Sequence, residues 1–243
     1  MRATMTMLGG AAAVLGLAGP PAWAQEPAVV FNAGVASDYV FRGLSQTGGQ
    51  GAAQGGADVT AGGLYAGAWL SGVDFGATTA DPADRTRVEY DLYGGVRPSL
   101  GPVSLDFGLI RYGYADAPAR AHYAYWEGKA AASRSVGPLS MGAAVFYSPE
   151  FFGKVGAAAY YELNGAYALA SGATISGAVG RQALDRDRAG IDGYTTWNLG
   201  AGWPILGRFA VDARYWGTDG RARRTYGAGV AGQRLAVTLK AAF

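Results

Sequence analysis

The 243-residue sequence contains no cysteine and a single histidine, His122. Without cysteine there is no disulfide, no thiolate metal site, no thiol nucleophile and no lipid-modified N-terminal cysteine. With one histidine, no metal site rests on two imidazoles, and any histidine-dependent catalysis falls on that residue alone. Charge is also sparse: 16% of residues are Asp, Glu, Lys or Arg, against about 25% in ordinary globular domains. The formal net charge of +2 gives no electrostatic footing for a nucleic-acid partner. No run of about 18 or more apolar residues occurs, so no helix is expected to cross a bilayer.

At the N-terminus, Arg2 precedes an apolar stretch over residues 8–18, then Pro20-Pro21 and the small-x-small triplet Ala22-Trp23-Ala24. That order of charge, short apolar core and small residues is the form of a cleaved signal peptide. Residues 1–24 are therefore expected to be a leader, and residues 25–243 a single exported domain beginning at Gln25.

What the chain has in quantity is glycine and tyrosine, 40 and 15 residues. Disorder does not explain this, because disordered chains are poor in aromatics, and here Phe, Trp and Tyr make up 12% of the sequence and run its whole length. Alternation explains it better. In the segment 103–109, Val103, Leu105, Phe107 and Leu109 alternate with Ser104, Asp106 and Gly108, the period of two that a strand shows between two unlike environments. Val88, Tyr90 and Leu92 alternate likewise with Glu89, Asp91 and Tyr93, and Phe209, Val211 and Tyr215 with Arg208, Asp212 and Arg214.

Turn-forming residues recur at 61–63, 98–102, 136–138, 170–172 and 204–207. Longer polar segments lie between them at 45–51, 77–86, 115–121, 148–153, 183–193 and 217–223. Short turns alternating with long loops are the asymmetry of a transmembrane barrel, whose strands of about 10 residues face lipid and lumen by turns. Five short and six long connections predict an all-β, antiparallel, up-and-down barrel of about 12 strands, with about 10 or 14 as neighbouring counts. The last segment, 235–243, alternates to Phe243 and is similar to the C-terminal strand signal of outer-membrane barrels. It makes the outer-membrane assembly machinery an expected partner, alongside outer-membrane lipid. A soluble periplasmic sandwich or lipocalin-like barrel is the competing fold.

The stretches Ser37-Asp38-Tyr39-Val40-Phe41-Arg42-Gly43-Leu44-Ser45-Gln46-Thr47, 54–58, 67–75, Glu89-Tyr90-Asp91-Leu92-Tyr93-Gly94-Gly95 and 146–153 resemble the TorF-like porins, a family of bacterial outer-membrane proteins, over nearly the whole exported chain. Two positions depart from that pattern: Gly72 stands where Asn is frequent, and Thr196 where an acid is frequent. The resemblance implies an outer-membrane barrel that conducts solutes, and it names no substrate.

Treating 31–42 as one continuous strand puts Asp38 and Arg42 on the face of Asn32 and Gly34, and Tyr39 and Phe41 on the opposite face. The same parity assigns Asp38, Asp74, Glu89, Asp91, Asp106 and Asp212 to the lumen, with Arg42, Arg97, Arg208, Arg214, Arg234 and Lys240. The physical reason is that a charge on the lipid face costs about 2–4 kcal/mol near the midplane. Equal numbers of the two signs point to mutual salt bridges that fill the barrel, and to weak ion selectivity, since a selective pore shows one sign in excess. Tyr39, Phe41, Trp69, Phe75, Tyr112, Trp197, Trp203 and Tyr215 fall near expected strand ends, as interfacial girdles do.

Two readings follow. In the first the chain is a narrow outer-membrane pore for passive diffusion of small polar solutes, without cofactor or catalysis. In the second it is a structural or ligand-binding barrel without useful conductance, since about 8 strands already close on their own side chains and 12 leave little more room. A lipid hydrolase built on His122 needs Ser and Asn or Asp beside it, and the flanking Ala121, Tyr123 and Ala124 lack that pattern. The glycine-rich stretch 48–56 has no following Lys-Ser or Lys-Thr for a phosphate loop. In Asp185-Arg186-Asp187-Arg188 the arginines oppose a calcium ion, so this cluster, like Asp81 and Asp84, is read as solvated loop.

Overall fold

A computed structural model describes residues 27–76 and 85–243. The expected leader and the loop acids Asp81 and Asp84 lie outside the described residues. Twelve long strands are described: β1 (Ala28–Ala36), β2 (Ala52–Ala61), β3 (Leu64–Gly72), β4 (Val88–Val96), β5 (Val103–Tyr114), β6 (Tyr125–Val136), β7 (Leu139–Ser148), β8 (Ala158–Ala168), β9 (Thr174–Leu184), β10 (Tyr194–Pro204), β11 (Phe209–Thr218) and β12 (Arg234–Ala242). Each pairs antiparallel with its sequence neighbours, and β1 pairs with β12. The sheet is thereby a closed barrel, which leaves no unpaired edge. At the seam, Phe243 N donates to Phe31 O at 2.9 Å and Phe31 N to Phe243 O at 3.2 Å.

The connections alternate as the sequence predicts. At the short end, Gly62 and Gly63 adopt φ 54° and 85°, the left-handed pair that a two-residue hairpin needs to match strand twist. At the other end lie the long loops. They include a four-residue helix α1 (Arg186–Ala189) and, between β11 and β12, α2 (Gly220–Tyr226) and α3 (Ala228–Ala231). Asp185 and Asp219 cap α1 and α2 by accepting amide hydrogen bonds. Arg186 and Arg188 pair with Asp192 and Glu150 in the exposed loops.

Alternation along each strand sorts the side chains. Leu163, Leu199 and Leu235 are more than 60% exposed, while their flanking residues Glu162, Gly200 and Ala236 are buried. The outer face is thus apolar and the inner face polar, the inverse of a soluble domain. Glycine thins the wall where aromatic rings lie flat upon it. A Cβ at Gly67 would stand 2.6 Å from the Tyr93 ring, and one at Gly180 would stand 2.1 Å from the Tyr160 hydroxyl. This close approach of ring to backbone accounts for part of the high glycine count.

Candidate functional site in the lumen

Strand β1 ends at Ala36. Ser37 then bonds with Val237 through both its amide and its hydroxyl, and the chain turns into the barrel instead of continuing the wall. Asp38 holds the turn: one carboxylate oxygen accepts from Ser45 Oγ at 2.6 Å and Thr47 Oγ1 at 2.8 Å, and the other from Arg234 at 2.7 Å. Between these anchors Val40–Phe41 pairs with Leu44–Ser45 as a small hairpin. Its tip residues Arg42 and Gly43 have φ 48° and 80°. Gly43 suits that geometry; for Arg42 the left-handed region costs about 1–2 kcal/mol.

The cost is offset by what the tip reaches. Arg42 makes a two-pronged pair with Glu127 on β6, at 2.8 and 2.6 Å, and donates to Gln182 on β9 at 3.1 Å. Both charged side chains are 1% exposed. The guanidinium lies 4.7, 5.1 and 4.4 Å from the ring centres of Phe41, Phe146 and Tyr160, contacts that favour a desolvated cation. Gly43 presses on the far wall, where a Cβ would meet Thr196 Oγ1 at 2.3 Å and Thr218 Cγ2 at 2.7 Å. The hairpin therefore crosses the lumen from β1 and β2 to the wall formed by β6–β11.

Aromatics seat it. Tyr39 packs edge-on to Trp69 at 5.3 Å, Phe41 to Tyr112 at 5.8 Å, and Tyr112 stacks on Tyr125 at 4.5 Å. Helices α2 and α3 pack behind the hairpin through Ala222, Ala231 and Leu44. Arg234 joins the two loops, donating to Asp38 and to the carbonyls of Gly229, Val230 and Gly232.

Toward the short turns the lumen is polar and partly exposed. Asp106 accepts from Tyr65, Arg97 and Lys129 at 2.8, 3.2 and 2.8 Å. Arg214 bonds Asp212, Asn198 and Ser176. Asp58 accepts from Tyr93 at 2.6 Å and Asn32 at 3.4 Å. Nearer the hairpin, Glu89 and Asp91 on β4 face inward and are buried, and Lys240 on β12 faces inward by parity.

The expected lumen set is redistributed by these facts. Asp38 and Arg42 lie inside the barrel, but on an inward-folded loop and not on a strand. Asp74 is not in the lumen wall: it follows the end of β3, in a partly exposed loop, paired with Arg85. That guanidinium holds its carboxyl below the usual range. Arg208 is exposed in the short turn before β11, 5.5 Å from the Phe243 ring.

The expected girdle needs correction as well. Tyr39, Trp69 and Tyr112 are buried inside, Phe41 packs against them, and Phe75 joins Tyr114, Tyr123 and Phe152 at the loop end. The inward hairpin needs an apolar seat, and these rings provide it. Trp197, Trp203 and Tyr215 do face outward.

Sequence reading missed Asp58, Glu127, Lys129, Glu162 and Gln182. A signal existed: Tyr125, Glu127 and Lys129 share one parity on β6, and Tyr160, Glu162 and Asn164 share one on β8. His122 is exposed at φ 50°, and among the described residues none hydrogen-bonds its imidazole.

Known proteins speak to the fold. The barrel is similar to a "KdgM porin in complex with disordered oligogalacturonate", with 9% identity over 89% of this chain and 99% of that one, and a TM-score of 0.57. It is also similar to the "COG4313 outer membrane channel from Pseudomonas putida F1", with 8% identity over 93% and 99% of the two chains and a TM-score of 0.54. At such identities the likeness shows the barrel architecture of porins and channels and nothing of what passes through it. A search among curated proteins found no match. In sequence, residues 22–243 match a family model, and the chain belongs to that family, described as "Bacterial protein of unknown function (Gcw_chp)".

Proposed function

We propose that this protein is an outer-membrane channel of the porin type, akin to the TorF-like porins, that passes small polar solutes by passive diffusion. In this reading residues 1–24 direct export, residues 25–243 insert through the barrel-assembly machinery using the strand that ends at Phe243, and the first long loop sets the constriction. The observation that carries it is the hairpin 40–45, which crosses a polar lumen and is held there by the buried Arg42–Glu127 pair.

Lipid as the outer solvent is supported by exposed large apolar residues on every strand of the wall, where soluble monomers confine theirs to patches of about a few hundred Å². It also fits the outward aromatics: Trp126, Tyr147 and Tyr161 toward the loop end, and Phe31, Tyr167, Trp203 and Phe209 toward the turns. Leu163, mid-strand on β8 and 62% exposed, tests this. Leu163→Arg is expected to cost about 2–4 kcal/mol in bilayer refolding titrations, whereas an indifferent result would mean that this face sees water.

The channel itself is tested by single-channel recording of refolded residues 25–243 in planar bilayers. Small, reproducible current steps are expected, because the hairpin narrows the loop end of the lumen while the turn end is lined by polar side chains. Protein that inserts and folds without current would favour the second reading, a non-conducting structural or ligand-binding barrel, for which the dense outer half is the supporting observation.

A further inference from the structure

The lumen charges do not balance once neighbours are matched. Asp38 pairs with Arg234, Glu127 with Arg42, Asp212 with Arg214, and Asp106 with both Arg97 and Lys129. Four inward carboxylates then make no salt bridge among the described residues: Asp58, Glu89, Asp91 and Glu162, the last of which lies within electrostatic reach of Arg42 and Lys129. Among the described inward bases, Lys240 alone makes no salt bridge, and it lies within electrostatic reach of Asp212. Asp58, Glu89 and Glu162 are held by neutral donors, respectively Tyr93 and Asn32, Tyr39, and Tyr160 and Asn164. Asp91 differs: it is 9% exposed, and its buried Oδ1 has no hydrogen-bond partner.

Three of these acids form a row. Glu89 and Asp91 are two residues apart on the inner face of β4, about 6.6 Å along the strand. Tyr93, the next inward residue, stands opposite Gly67, which stands opposite Asp58 on β2. The row thus descends on the β2–β4 wall from beside the hairpin, where Tyr39 touches Glu89, toward the short turns. Asp91 lies within electrostatic reach of both Glu89 and Glu127. A buried carboxylate without a donor is stable only with a proton or a cation beside it.

We infer that this wall is a cation lane, and that the pore favours small monovalent and organic cations over anions, with Asp91 and Asp58 as the selectivity-determining residues. The inference rests on the channel reading and names its solute class. It revises the weak selectivity expected from six acids facing six bases: Asp74 and Arg208 leave that set, three acids (Asp58, Glu127 and Glu162) and one base (Lys129) join it, and the lumen holds an excess of carboxylates. It also separates this chain from a fold neighbour whose described ligand is an oligogalacturonate, a polyanion.

The test is the reversal potential of single channels in a KCl gradient at neutral pH, for the wild-type chain and for Asp58→Asn/Asp91→Asn. The wild type is expected to pass K⁺ at least about threefold better than Cl⁻, and the double variant to lose most of that preference. Clear current steps with no preference, or with anion preference, overturn the cation lane and leave the channel standing. A preference that survives the double substitution overturns the assignment to this row. Folded, inserted protein without current overturns both readings.

Should the double variant fail to refold, Asp58→Cys in this cysteine-free chain provides a second handle. An anionic thiosulfonate reagent is expected to restore cation preference and a cationic one to abolish it. Equal effects of the two reagents would sink the proposal.

Discussion

Replacing residues 40–45 with a Gly-Ser segment of equal length is expected to raise the single-channel conductance several-fold while leaving the barrel intact. The walls do not depend on the hairpin: β1 pairs with β2 at nine positions from Ala28↔Thr60 to Ala36↔Ala52, and with β12 from Asn32↔Ala242 to Ala36↔Thr238. What the exchange removes is the obstruction, namely Arg42, its aromatic contacts and the tip that presses on Thr196 and Thr218. Twelve strands enclose more than their own side chains fill, so the vacated space takes up water. Heat-modifiable electrophoretic mobility would confirm folding before the recording. An unchanged conductance in folded protein would place the narrowest point elsewhere, with α2 and α3 the next obstruction.

Glu127→Ala is expected to be among the most disruptive single substitutions in the chain. It leaves the Arg42 guanidinium buried among Phe41, Phe146 and Tyr160 with Gln182 as its one remaining hydrogen-bond acceptor. Breaking a buried pair from one side costs about 3–5 kcal/mol, whereas replacing both members with apolar residues of similar volume is often neutral. The expected pattern is therefore non-additive: a large loss of unfolding free energy, or escape of the hairpin seen as raised conductance, for Glu127→Ala, and recovery in Arg42→Met/Glu127→Leu. Denaturant titration in detergent together with conductance reads both. Equal losses in the single and double variants would show that the pair does not hold the hairpin.

The strands were legible because their environment is simple. On β4 and β5 successive residues point alternately to the apolar outer face and to the lumen, so Val88, Leu92, Phe107 and Leu109 could be sorted from Glu89, Asp91 and Asp106 by parity alone. The glycines at 62–63, Pro98, Pro138 and Pro204 near three of the other turns, and Ser171-Gly172 at the fourth placed the short connections, since these residues stop or reverse a strand for local reasons. Parity failed at 37–47, where alternation runs on past Ala36 although the chain has left the wall. Nothing local distinguishes Phe41 on an outward-facing strand from Phe41 set edge-on to Tyr112. The segment 37–47, one of the stretches on which the family resemblance was read, is the one that folds inward.

The sequence by itself determined the class of the protein. Sparse charge, abundant glycine and tyrosine, period-two alternation and the short-long rhythm of connections point to an antiparallel barrel of about 12 strands, because these are local properties repeated along the chain; the exact count and the closure come from the pairing of β1 with β12. Only the tertiary structure decided the site. Arg42 meets Glu127 across 85 residues and Gln182 across 140, and Asp38 meets Arg234 across 196. Which carboxylates find a cation and which stay unpaired is likewise settled only when strands distant in sequence close on one another. Burial then makes each pairing, or its lack, energetically consequential.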